Sequence, residues 1–179
     1  MLQRIQEIRN CLNHKCYEGA LALALTLPDI CGQIAYPDDK VGKRYEKWFE
    51  DYIPADYFST PVPDFEVRTF DGEMCYQLRC HFFHSGSIDI AIDEKSQIDV
   101  FEMDVSEGEQ QLTGYLYRMS KKQRIIRIEV NYLCNCLCDR AEKFYYAWPD
   151  KSAFEAHKTG FVNNSTDHSA PQYTEETEA

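Results

Sequence analysis

The chain has 179 residues, of which 44% are hydrophobic, 13% aromatic and 27% charged, with eight Gly and seven Pro; this excludes disorder throughout and allows a core that needs no metal or disulfide. Thirty Asp and Glu against nineteen Lys and Arg leave a net charge of −11, the wrong sign for gripping polyanions through a broad basic surface, so any nucleic-acid contact must be local. Eight cysteines without an export signal, and no apolar run near the ~20 residues that span a bilayer, predict a cytoplasmic chain with no membrane contact and with thiols acting as small buried hydrophobes.

Leu2, Ile5, Ile8, Cys11 and Leu12 recur at helical spacing opposite Arg4, Glu7 and Arg9, which predicts a first helix of about three turns. The segment GALALALTLPDICGQI alternates Ala and Leu like a strand, but both are strong helix formers, so a buried helix is expected up to Leu27. Pro28 then starts a second helical piece with Asp29 in its first turn. Val41 to Ile53 places Tyr45, Trp48, Phe49 and Tyr52 on one stripe, the pattern of an amphipathic helix. Pro54, Pro61 and Pro63 make PADYFSTPVPDF read as an ordered but irregular loop.

Asp71 is placed to cap the next helix, DGEMCYQLRCHFFH, with Glu73 in its first turn and Ser85-Gly86 past its end. Beyond Gly86 the period changes to two: Ile88 to Ile92, Val100 to Val105 and Arg124 to Val130 read as strands. A last helix runs from about Tyr132 toward Trp148, where Pro149 ends it. The expected architecture is therefore α+β, a single domain over 1–162 with a helical N-terminal half (1–86) and a small antiparallel sheet plus a final helix (87–162). Residues 163–179 form an acidic tail, expected to be flexible, carrying Asp167, Glu175, Glu176 and Glu178 and no Lys or Arg.

The most informative residues are Arg79 and His84, five positions apart at the C-terminal end of an apolar helix. That spacing is about 140° around the axis and ~7.5 Å along it, so the two side chains flank a ridge instead of stacking. Cleaving RNA without a metal requires a base for the 2′-hydroxyl proton, an acid for the departing 5′-oxygen and a cation for the charge that builds on the phosphate. Histidine suits either proton role, and a helix C-terminus favours its protonated form. Arginine stays charged and bonds phosphate oxygens in a fork. Cys80 and His81, between the pair, and Ser85, just after it, support the site, and a two-fold dimer on this helix would bring two such pairs into one cleft.

Arginine, four residues, then histidine near a helix end, in a helical N-terminal half, resembles the signature of the HEPN superfamily. The segments ALALALTLPDICG, GKRYEKWFEDYI, YQLRCHFFHSGS and NYLCNCLCDRAEKFYY are also similar to a set of bacterial proteins in which the arginine is typically followed by asparagine and the histidine by a glycine-containing turn. The similarity to that set brings no activity; the HEPN resemblance implies a helical HEPN-like core and a homodimeric, metal-independent endoribonuclease of bacterial defence or toxin systems. It also implies Arg79 and His84 as the catalytic pair, with no cofactor. Position 80 departs from the superfamily, which prefers Asn, Asp or His where this chain has Cys80. The strands also exceed a plain four-helix bundle.

Other groups compete for a role. Cys80, His81 and His84 offer zinc donors, as do Cys134, Cys136 and Cys138, but paired ligands usually follow Cys-x2–4-Cys in a turn, whereas the last three lie in an apolar helix beside Leu133 and Leu137, so buried thiols are the better account and no metal site is assigned. The aromatic stripe of Tyr45, Trp48, Phe49 and Tyr52 reads more simply as a core face than as a stacking platform for bases. Lys121, Lys122, Arg124 and Arg127 form the one dense basic patch, where an RNA backbone would be drawn in. Asp29 or Asp71 would be the carboxylate to orient His84, yet nothing in the sequence brings Asp29 close, and Asp71 is explained as a cap. The alternative to RNA is a basic protein partner: net acidity suits a non-catalytic inhibitor or antitoxin-like protein, because complementary charge steers partners together.

Overall fold

The computed structural model describes residues 1–62, 65–68, 70–84, 100–105, 114–118 and 123–157. Within them the fold is α+β. Four helices come first, α1 (Leu2–Asn13), α2 (Tyr17–Ala24), α3 (Leu27–Ala35) and α4 (Val41–Tyr52). A 3-10 turn (Ala55–Phe58) and a hairpin of β1 (Ser59–Val62) and β2 (Phe65–Arg68) lead to α5 (Gly72–His84). A sheet of β3 (Val100–Asp104), β4 (Gly114–Arg118) and β5 (Gln123–Glu129) then runs into α6 (Val130–Ala147) and a final 3-10 segment, Lys151–His157.

The helical half follows its expected boundaries closely. Lys15, at φ 58°, closes α1: the backbone N–H of Cys16 donates to the carbonyl of Cys11 at 2.8 Å, the long bond of a left-handed helix stop. Pro28 sits in the first turn of α3, where its missing N–H costs nothing. Asp71 caps α5 as expected, accepting from the backbone N–H of Met74 at 2.9 Å. The last helix starts at Val130, before the expected Tyr132, because the buried Glu129 carboxylate accepts from the N–H groups of Asn131 and Tyr132 and turns the end of β5 directly into a helix.

Two expectations are corrected. The segment expected to be an irregular loop contains the 3-10 turn and the β1–β2 hairpin, with Pro61 opposite Glu66. In a two-stranded ribbon both strands are edges, so a proline can turn its donor-less side outward. The three-stranded sheet is mixed, not antiparallel: β5 is central, antiparallel to β4 and parallel to β3, with Glu102 opposite Arg127. Alternation reveals a strand but not its direction. The antiparallel partner of β5, Gly114–Arg118, carries no clear two-residue alternation that would mark it as a strand. The expected strand Ile88 to Ile92, Ser85-Gly86, Lys121, Lys122 and the tail 163–179 lie outside the described residues.

One core joins the helices to the sheet. Ile5, Leu21, Leu25, Trp48, Leu78, Phe101, Ile126 and Leu137 belong to a single cluster of buried residues. The aromatic stripe of α4 faces inward, with Trp48 and Tyr52 stacked at 5.6 Å and Phe144 of α6 edge-on to both. Its aromatic area therefore serves packing. Arg9 of α1 bridges Asp139 and Glu142 of α6 at 2.9 and 2.8 Å, and its guanidinium pKa is raised chiefly by the bond to Glu142. None of the eight cysteines forms a disulfide, and Cys31, Cys75, Cys134, Cys136 and Cys138 are buried. Burial pushes the Cys75 and Cys138 thiols up to about 12, so they behave as apolar groups at neutral pH.

Candidate functional site

Arg79 and His84 lie on one helix, Arg79 about one and a half turns from its end and His84 as its last residue. Arg79 does not stand alone. Its Nη2 is 3.3 Å from Oδ2 of Asp29 in the first turn of α3, and Oδ1 of the same carboxylate is 3.1 Å from Nη2 of Arg44 on α4. Three helices thus contribute one charged side chain each to a single cluster. Asp29, Arg44 and Arg79 retain 25%, 15% and 22% side-chain exposure, so the cluster is half-sunk with an open side.

Close backbone contact sets this geometry. A Cβ on Gly32 would lie 2.6 Å from the carbonyl oxygen of Arg44, and a Cβ on Gly72 would lie 2.7 Å from that of Glu46. Glycine at these two positions lets α3 and α5 each touch the α4 backbone, placing Asp29 and Arg79 on either side of Arg44. The Tyr45 hydroxyl donates to the Leu25 carbonyl at 3.2 Å and lies 3.4 Å from the Cys75 sulfur, which ties the layer below together. From α4, Glu50 reaches the N–H of Gly72 at 2.7 Å and helps fix the start of α5.

The electrostatics of the cluster are lopsided. One carboxylate serves two guanidinium groups, and the Nε atoms of both arginines are buried without a hydrogen-bond partner. The Arg79 guanidinium carbon lies 5.9 Å from the centroid of the Tyr76 ring, the outer limit of a cation–π contact. The Tyr76 hydroxyl pKa is raised, first by burial and then by the Cys80 thiol it hydrogen-bonds, while Arg79 pulls it down. His157, at the end of the last 3-10 segment, also feels the cluster. Burial lowers its pKa most, Asp29 opposes that, and Arg4 and Arg44 add to the lowering. Arg4 itself donates to the Thr26 hydroxyl at 2.8 Å, just before α3. A cavity of about 190 Å³, with Arg4, Tyr145, Phe154 and His157 in its wall, opens beside them.

The remaining site residues named from the sequence fall elsewhere. Cys80 and His81 follow Arg79 on α5 and are half-buried. Arg127 on β5 is engaged by Glu102 across the parallel β3–β5 pair at 3.0 Å. Arg124 is on β5, while Lys121, Lys122 and Ser85 lie outside the described residues. Asp29 is a partner of Arg79, a role the sequence did not suggest for it. Among the described residues, no three His, Cys, Asp or Glu side chains are grouped to hold a metal ion, and no helix is long and apolar enough to cross a membrane.

Sequence reasoning missed Arg44 and the pairing of Asp29, although both left a trace. Asp29 is the sole charged residue between Glu18 and Asp38, and a lone carboxylate in so apolar a stretch needs a cation. Arg44 stands four residues before Trp48, on the apolar side of its helix, where Lys43 and Lys47 do not. Compared with known proteins, the chain matches no family model, no curated protein and no solved structure.

Proposed function

We propose that the protein is a metal-independent endoribonuclease of the HEPN type, acting in bacterial or phage conflict, with Arg79 and His84 as its catalytic pair across a homodimer. One observation carries this reading. The arginine of the Arg-x4-His motif, by which the chain resembles that superfamily, meets Asp29 of LPDICG and Arg44 of GKRYEKW, segments shared with the similar bacterial proteins, in one partly buried ionic cluster with an open side. Such convergence gives those segments a common chemical purpose beyond packing.

In this mechanism Arg79 binds the scissile phosphate and offsets the charge that builds on its oxygens, a role for a cation that never titrates. His84, at the negative end of the α5 dipole, donates a proton to the departing 5′-oxygen, and the second subunit's copy takes the 2′-hydroxyl proton. Phe83, 45% exposed on the same helix, supplies apolar surface for a two-fold contact. Cys80 replaces the amide usual in the superfamily and bonds the Tyr76 hydroxyl, so phosphate binding falls to the arginine.

Purified protein in EDTA should cleave RNA, and Arg79→Ala or His84→Ala should each reduce the rate by about 10²–10³-fold with circular dichroism unchanged. Parent-like cleavage by both variants would refute the assignment. A second reading, an acidic module that docks on a basic protein, draws on the carboxylates of Glu46, Glu50, Asp71 and Glu73, whose proximity helps raise the pKa of Glu46. It requires association with that partner to slow when these charges are reversed.

A further inference from the structure

Asp29 holds two guanidinium groups at once, 3.1 Å from Arg44 and 3.3 Å from Arg79. Among the described residues neither arginine has another ion-pair partner. Both keep a buried Nε with no acceptor. A guanidinium offers five N–H donors in a planar fork, so most of the donor capacity on both side chains is left over. The cluster carries one more positive than negative charge, in a chain whose net charge is −11. Its two cations converge on a pair of oxygens, which is how the non-bridging oxygens of a phosphodiester would also be met.

We propose that Arg44 and Arg79 form a two-guanidinium clamp for one backbone phosphate of RNA. Arg44 is then a second substrate-binding residue, and Asp29 is the resident anion that competes with the phosphate for the clamp. This rests on the ribonuclease reading for its substrate and adds to it a residue and a competitor. Arg44 reaches the clamp from α4, so its contribution is to binding; proton transfer stays with His84. The competition has a distinctive sign. A residue that merely braces the fold weakens everything when altered, whereas a competing carboxylate, once neutralised, leaves the clamp more attractive to an anion.

The test is binding of a 2′-O-methyl RNA dodecamer, which lacks the attacking hydroxyl, measured by fluorescence anisotropy in EDTA over a series of salt concentrations. Arg44→Gln should weaken binding about tenfold and reduce the magnitude of the slope of log K against log salt by about 0.7, the loss of one phosphate contact on a single strand. Asp29→Asn should tighten binding several-fold, and Arg44→Lys should weaken it while keeping the slope, since it retains the charge and loses the fork. Arg44→Lys carries the test if Arg44→Gln does not fold. Parent-like binding by the Arg44 variants, weaker binding by a folded Asp29→Asn, or no binding by the parent protein overturns the clamp. A clamp that behaves as described in a protein that cleaves nothing would sink the nuclease reading alone.

Discussion

The Asp29 carboxylate lies 3.3 Å from the Arg79 guanidinium, joining α3 to α5 across fifty residues of chain, with Arg44 of α4 on its other oxygen. This contact gives the arginine of the Arg-x4-His motif a fixed direction, because a guanidinium on a long flexible stem is otherwise free to sample many rotamers. It also makes the site dependent on how closely three helices approach.

Gly32→Ala tests that dependence. The added methyl would sit 2.6 Å from the Arg44 carbonyl oxygen, and backbone cannot give way as a side chain can. Overpacking of this kind costs about 1–3 kcal/mol. Chemical denaturation should show a loss in that range, with RNA binding weakened in the surviving folded protein. An unchanged midpoint would mean that α3 and α4 are not in such close contact.

Glu46 faces Glu73, Asp71 and Glu50, and burial followed by these charges raises its pKa above the ordinary 4.5. A carboxyl with a raised pKa in the folded protein contributes favourably below the unfolded value, and that contribution is lost as pH climbs through the folded one. Glu46→Gln should therefore raise the melting temperature at pH 7 and leave it unchanged near pH 3.5. Glu46 is only partly buried, so the gain is small, about 0.5 kcal/mol. A loss of stability at pH 7 would contradict the like-charge picture.

His157 should titrate below its ordinary 6.5 when followed by NMR, since burial, Arg4 and Arg44 outweigh Asp29. With the folded pKa depressed, its neutral form stabilises the protein above pH 6.5, and that contribution fades as the solution is acidified. Arg44→Gln should move the midpoint up, and Asp29→Asn should move it down. A midpoint at or above 6.5, unmoved by either change, would separate His157 from the cluster.

The helices were legible because their signals are local: the apolar stripe of α4, Pro28 at the start of α3 and Asp71 at the cap of α5 each act within a turn of where they stand. The hairpin around Pro61 was hidden, since a proline looks like an interruption until its strand is known to be an edge. The mixed sheet was hidden for a related reason, as strand direction depends on partners distant in the chain. At the site, Arg79 was visible from its spacing to His84, whereas Arg44 was masked by the lysines around it. The carboxylate that joins the two arginines is a tertiary contact between segments that look unrelated one at a time.

The most direct measurement is the chemistry of the RNA ends left by the purified protein in EDTA, with a matched substrate carrying a single 2′-deoxy nucleotide at the cleavage point. Transfer driven by the 2′-hydroxyl, with Arg79 on the phosphate and His84 on the leaving oxygen, predicts 2′,3′-cyclic phosphate and 5′-hydroxyl ends and no cut at the deoxy position. Cleavage that persists at the deoxy nucleotide, or RNA left intact by a folded dimer, would contradict it.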